Sequence, residues 1–262
     1  MNEVIVSTVN EYVEYVSSIN NSSDLWYRGV SNFNHKPLPG LIWKNCGFHE
    51  GTLEHRFLIS YKSYTNEVSL DSWEVYALMQ HHGLPTRLLD WSESALVALY
   101  FALSSEIEST EYSMVWVINP YTLNETIHGA PRVYCPATMK NPIVKNKGKI
   151  IDINSYLPPN MVSAGLENKM PIKPIAINTT QNIRRVSSQK GCFTVHGSSN
   201  ESIDSYVKDD EDFHQIKINT LNKDARLKML DVLATLGIDE EFIYQDLDSL
   251  CSRIKRQLRI DI

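Results

Sequence analysis

The chain has little of what marks a specialised class of protein. Its 262 residues hold four cysteines, Cys46, Cys135, Cys192 and Cys251, far apart and with no C-x-x-C pair. That pattern reads as reduced thiols in a reducing compartment rather than a disulfide frame or a zinc site. No apolar run reaches the roughly 20 residues that a membrane-spanning helix needs. The first residues, MNEVIVSTVNEY, lack a basic stretch followed by a long apolar one, so no signal peptide is expected. Blocks of five or more like charges are missing, as are biased tracts and internal repeats. A formal net charge of -6 argues against non-specific coating of nucleic acid and leaves a local basic patch open. There is no P-loop, G-x-G-x-x-G, G-x-S-x-G, kinase signature, H-E-x-x-H or H-x-E. These absences predict a cytoplasmic protein with no membrane segment and no metal, built as a single domain over residues 1–262.

What is present is a clear succession of elements. Thr8 and Glu11 form a T-x-x-E capping pair before Val9, Val13, Val16 and Ile19, which recur at helical spacing. The polar run from Asn20 to Ser23 should stop this helix. LWYRGV, from Leu25 to Val30, reads as a strand, and a second helix is marked by Leu53, Phe57, Tyr61 and Tyr64. Asp71 and Glu74 cap a third helix through Trp73, Ala77 and Met79, with Gly83 suited to a left-handed C-terminal cap and Pro85 beyond it. Asp90 is placed to cap a fourth helix, SALVALYFAL, apolar almost all round and therefore expected in the core. Further strands are predicted at MVWVIN, KIIDI, PIAIN, GCFTVHG and HQIKI, with a long irregular region from about Pro120 to Lys149. Two helices close the chain, the last carrying Leu247, Leu250, Cys251, Ile254 and Leu258 on one face and ending in RIKRQLR. Helices early and strands later, without regular alternation, predict an α+β fold with a mixed or antiparallel sheet and helices toward both ends.

The densest polar stretch is QHHGLPTRLLDWS, Gln80 to Ser92, set between two apolar helices. Polar groups in such a setting cost folding energy unless they are paired or used. His81 and His82 diverge by about 100° on a helix and cannot act as an i, i+4 zinc pair. A histidine near a helix end is also accounted for by the helix dipole. Asp90 is either an N-cap or the partner of Arg87 or Arg28. Arg28 beside Gly29 can offer a guanidinium fork and an open backbone to a phosphate or carboxylate, although an arginine exposed at a sheet edge explains the pair equally well.

Together these segments resemble a known family. WYRG, then QHHGLPTRLLDWS ahead of the apolar ALVALYFAL helix, is similar to the FRG domain, named for a Phe-Arg-Gly-like strand; here Tyr27 takes the aromatic place before Arg28 and Gly29. SSQKGCFTVHG (Ser187 to Gly197) resembles the family's late strand, and IDEEFIYQDLDSLCSRIKR its closing helical segment. The resemblance thus runs over about residues 24–256.

That resemblance implies more than the residues alone. The FRG strand is similar to the first strand of ADP-ribosyltransferases, which implies their split sheet and NAD as a substrate. Arg28 would then grip an NAD phosphate or ribose, Gly29 would offer its backbone to the nicotinamide amide, and Gln80, Thr86, Arg87 and Ser92 would complete the cofactor site. Asp90, His81 and Gln189 are the implied catalytic residues, since a carboxylate must stabilise the oxocarbenium-like ribose as nicotinamide leaves. The late strand near Gln189 carries no E-x-E or Q-x-E. Three readings follow: Asp90 supplies the carboxylate, Gln189 and His196 take another role, or the domain binds a nucleotide or nucleic acid without transferring anything. The expected setting is an effector of a bacterial toxin or phage-defence system acting on a protein or nucleic acid. Arg28, Gln80, His81, Asp90 and Gln189 should meet in one cleft.

Overall fold

The computed structural model describes residues 2–19, 24–65, 70–104, 111–146, 149–162, 170–180, 184–207, 211–258 and 260. The expected stop at 20–23 lies outside them, and so does Arg259 of the closing basic cluster. The architecture is α+β, with helices packed on a seven-stranded mixed sheet. Its strands are β1 (Asn2–Val6), β2 (Trp26–Val30), β3 (Leu88–Ser92), β4 (Tyr112–Ile118), β7 (Ile175–Asn178), β8 (Gly191–Val195) and β9 (His214–Asn219). They lie in the order β1-β9-β4-β2-β3-β8-β7, with β1 and β9 parallel and every other neighbour antiparallel. A separate hairpin joins β5 (Ile143–Asn146) to β6 (Lys149–Asp152).

Side chains alternate across this sheet with a period of two. Trp26, Leu89, Trp91, Met114, Trp116, Ile118, Ala176 and Cys192 share one apolar cluster on one face. The opposite face holds two separate clusters. Tyr27, Val115, Val117, Ile216 and Ile218 pack under the Val9–Ile19, Ala95–Ser104 and Lys223–Thr235 helices. Leu88, Phe193, Val195, Ile175 and Ile177 pack under the Ser72–His81 helix. The seam between those two cores runs between β2 and β3.

The helix Ala95–Ser104 is fully buried along Val97, Ala98, Leu99, Ala102 and Leu103, as its apolar sequence predicts. Its closest crossing is over Gly29, where a Cβ would stand 1.8 Å from the Ala98 carbonyl oxygen and 2.7 Å from the Ala102 nitrogen. Glycine is therefore required by packing, whatever else it does.

Local signals account for most element ends. Thr8 accepts from the Glu11 N–H while Glu11 accepts from the Ser7 N–H, and Asp71 and Glu74 close a full capping box. Gly83 adopts φ 80°, just past the Ser72–His81 helix. Three expectations need correction. Asp90 caps no helix: it lies within β3, and Ser94 takes the capping place, its carbonyl accepting from Ala98 and its hydroxyl from Val97. The residues Leu88–Ser92 pair along their length with β8, and this ladder outweighs the capping preference. The region from Pro120 is not irregular at its start but a helix, Pro120–His128. Asn119 caps it, Pro120 occupies a first-turn position where its missing N–H costs nothing, and Gly129 ends it at φ 72°. The first residues form the edge strand β1, which the sequence did not suggest. The last helix, Leu247–Leu258, docks through its polar side: Arg253 pairs with Glu241, and Arg256 with Asp239 and Glu240. Leu247, Cys251, Ile254 and Leu258 of its apolar face are exposed.

Replacing Leu99 with Ala should destabilise the protein by about 2–5 kcal/mol through cavity formation. Gly29→Ala should be worse, because backbone rather than a mobile side chain blocks the new methyl. Urea unfolding of the two variants checks the order; Gly29→Ala as stable as the parent would show that the crossing can relax.

Candidate functional site

β2 pairs with β4 over all five of its residues, yet it pairs with β3 at only one position, Tyr27 with Ser92. Beyond that point the two strands part. Arg28 bridges the gap with its side chain: Nη1 donates to the Asp90 carbonyl at 2.8 Å, a bond that a continuous ladder would make with backbone. Arg28 Nε is buried and has no partner. Burial lowers the Arg28 pKa, and the nearby Asp90 carboxylate opposes that shift.

The parting opens a cleft of about 260 Å³ lined by Tyr27, Arg28, Gly29, Gln80, His81, Asp90, Trp91, Ser92, Ala98, Phe101 and Gln189. The five residues expected to meet, Arg28, Gln80, His81, Asp90 and Gln189, all reach it from three distant segments. Gly29 and Ser92 also line it. Thr86 and Arg87 do not.

Each polar group is held by identifiable neighbours. Gln80 Nε2 donates to Asp90 Oδ2 at 2.7 Å, while Gln80 Oε1 accepts from the Thr86 hydroxyl at 2.7 Å. Thr86 in turn accepts from the Leu88 N–H at 3.0 Å. This chain fixes which end of the Gln80 amide faces the carboxylate, so buried Thr86 acts on the cleft through Gln80. Ser92 Oγ donates to the Gln189 carbonyl at 2.6 Å, and Gln189 Nε2 donates to the Ile243 carbonyl at 3.0 Å. Gln189 is thus tied from both sides at the end of the short helix Arg184–Ser188. His81 forms a cleft wall and meets His82 edge to face at 5.0 Å.

Arg87 serves the fold. Its guanidinium makes a bidentate pair with Glu50, at 2.8 and 2.7 Å, and Nη1 donates to the Gly197 carbonyl at 2.6 Å. It therefore joins the Glu50–Ser60 helix to the end of β8 and is not the partner of Asp90. His196 is fully buried just past that strand, with Nε2 at 3.2 Å from the Glu201 carbonyl. It is absent from the cleft lining. Phe101, Ala98 and Trp91 also line the cleft; they lie in the segments that carry the resemblance, but each read alone is ordinary core.

The arginine–glycine strand and the QHHG-to-DWS segment that line this cleft lie in one stretch of the chain. Residues 23–111 match the family model of the FRG domain. That span is about a third of the chain and holds every cleft residue except Gln189. It ends before SSQKGCFTVHG and the closing helical segment, so the wider resemblance over 24–256 is unsupported beyond 111. No curated protein and no solved structure matches the chain. Among the described residues no helix is long and apolar enough to cross a membrane.

Buried His196 carries a pH prediction. Burial pulls its pKa from 6.5 to about 4. The folded state thus resists a proton that the unfolded chain accepts. The resulting stability is complete above about pH 6.5 and is lost as pH falls toward 4, a change of about 3 kcal/mol. Melting of wild type and His196→Gln between pH 7 and pH 4 should show the flatter response in the variant. Equal slopes would remove His196 as a source of acid lability.

Proposed function

We propose that the Arg28 cleft binds NAD and that the protein is an ADP-ribosyltransferase-like enzyme. The observation that carries this reading is the buried, unpartnered Nε of Arg28, beside the single carboxylate among the described lining residues, Asp90. An unmade hydrogen bond on a buried cation is a standing cost, and a phosphate or ribose oxygen would remove it. The cleft volume, about 260 Å³, suits one ring and its sugar rather than a whole dinucleotide. In this reading the nicotinamide riboside half enters the cleft. Asp90, aimed by Gln80, faces the positive charge that grows on the ribose as the C1′–N bond breaks. Nicotinamide leaves with the bonding electrons, and a nucleophile of the macromolecular target takes its place on C1′. In this reading His81 accepts the proton of that nucleophile and Gln189 fixes the ring.

A second reading is favoured by the engagement of Asp90 with Gln80 and of Gln189 with Ile243. Here both side chains are framework, and the cleft holds a nucleotide without chemistry. Asp90→Asn separates the two. Asparagine keeps an acceptor for Gln80 Nε2 and loses only the charge, so the fold should survive. Nicotinamide release from NAD should fall about a hundredfold or more in the variant, with its melting temperature nearly unchanged and NAD binding retained. Wild-type protein that binds NAD but releases no nicotinamide, with or without cell lysate as acceptor, would support the binding module instead. Arg28→Lys should weaken NAD about tenfold or more in a calorimetric titration, because lysine cannot reproduce the fork.

A further inference from the structure

A second and larger cavity, about 730 Å³, adjoins the cleft and lies between the Glu50–Ser60 helix and the end of the Ser72–His81 helix. Leu53, Arg56, Phe57, Ser60, Tyr61 and Tyr64 recur at helical spacing along one wall; Leu78, His81, His82 and Leu84 form the other. His81 belongs to both cavities, so the two share a wall. The ionisable lining side chains besides the tyrosines are Arg56, His81 and His82, and no carboxylate lines the groove among the described residues. Among the described lining residues Arg56 is the fixed charge, set among aromatic rings in a protein of net charge -6. Phe57 and Tyr61, both in the lining, stack with ring centroids 5.3 Å apart and planes 8° apart, the parallel arrangement that a further planar group would extend.

We infer that this groove is the base-binding half of a dinucleotide site. The adenine ring lies against Tyr61, and the phosphate beside Arg56. This assignment rests on the NAD reading of the Arg28 cleft and extends it across His81. Arg56 of the groove selects an anionic ligand, the rings a planar one, and the wall shared with the polar cleft at His81 a ligand with two recognised ends.

The two halves of NAD make the test. Wild-type protein should bind NAD, AMP and nicotinamide mononucleotide in calorimetric titrations. Tyr61→Ala and Arg56→Glu should weaken AMP and NAD about tenfold or more and leave the mononucleotide unchanged. Arg28→Lys should do the reverse, sparing AMP. Tyr61→Phe, which keeps the ring, should behave as wild type, and thermal melting of each variant separates lost binding from lost fold. If NAD and the mononucleotide bind but AMP does not, or if Tyr61→Ala leaves NAD affinity intact, the groove assignment fails and the cleft reading stands. If AMP binds through Tyr61 but the mononucleotide does not bind, the nicotinamide reading of the cleft fails and the base site stands. Binding of none of the three overturns both.

Discussion

The crossing of the Ala95–Ser104 helix over Gly29 is the constraint on which the rest depends. Backbone meets backbone there, with no room for a single methyl group. This contact seats the most apolar helix of the chain against β2, and the core of Tyr27, Val115, Val117, Leu99 and Leu103 forms around it. With β2 held on that side, β3 is free to follow a different partner, and it does so along the full length of β8. The two strands part after Tyr27 and Ser92, one face of the sheet divides into two cores, and a cleft remains at the seam. A packing requirement and a site thus share one glycine.

The cost of parting two strands is unpaired backbone, and the sequence answers it with side chains. Arg28 takes the Asp90 carbonyl, Thr86 takes the Leu88 N–H, and Ser92 takes the Gln189 carbonyl. Arg87 ties the end of β8 to the Glu50–Ser60 helix through Glu50 and Gly197. The crowding of polar residues from Gln80 to Ser92 therefore has two origins. Thr86, Arg87 and Ser92 hold the framework, while Gln80, His81 and Asp90 face the cleft.

Much of this was legible in the sequence, unevenly and for physical reasons. The capping box of Asp71 and Glu74, the left-handed Gly83 and the core helix announce themselves because each depends on residues a few positions apart. The meeting of Arg28, Asp90 and Gln189 was reachable only through the resemblance, since nothing local says which distant segments share a seam. Of the readings open for Asp90, the cap fails because a capping signal and a strand interior look alike over four residues; pairing with β8 decides it. The helix from Pro120 was missed inside the region expected to be irregular, because its favourable first turn depends on Asn119 before the proline. Read alone, Phe101 and Tyr61 gave no functional signal, because an aromatic on a helical stripe is ordinarily core and only the arrangement of neighbouring elements leaves a cavity beside it.

Among the described residues the cleft is lined by one fixed cation and one carboxylate, which form no ion pair with each other. Arg28 bonds to the carbonyl of Asp90 and not to its carboxylate, while the carboxylate is held by the neutral Gln80 amide. A direct ion pair would have satisfied both groups at once and left little charge for a ligand. Held apart by a peptide oxygen and an amide, both groups remain in the cleft lining without an ion pair between them. Thr86 matters here although it never touches the cleft: by donating to Gln80 Oε1 it forces the amide to present nitrogen, not oxygen, to Asp90. Were that amide reversed, oxygen would face carboxylate, and repulsion would push Asp90 either toward Arg28 or out into solvent. The separation of the two charges is therefore a property of the Thr86–Gln80–Asp90 chain as a whole.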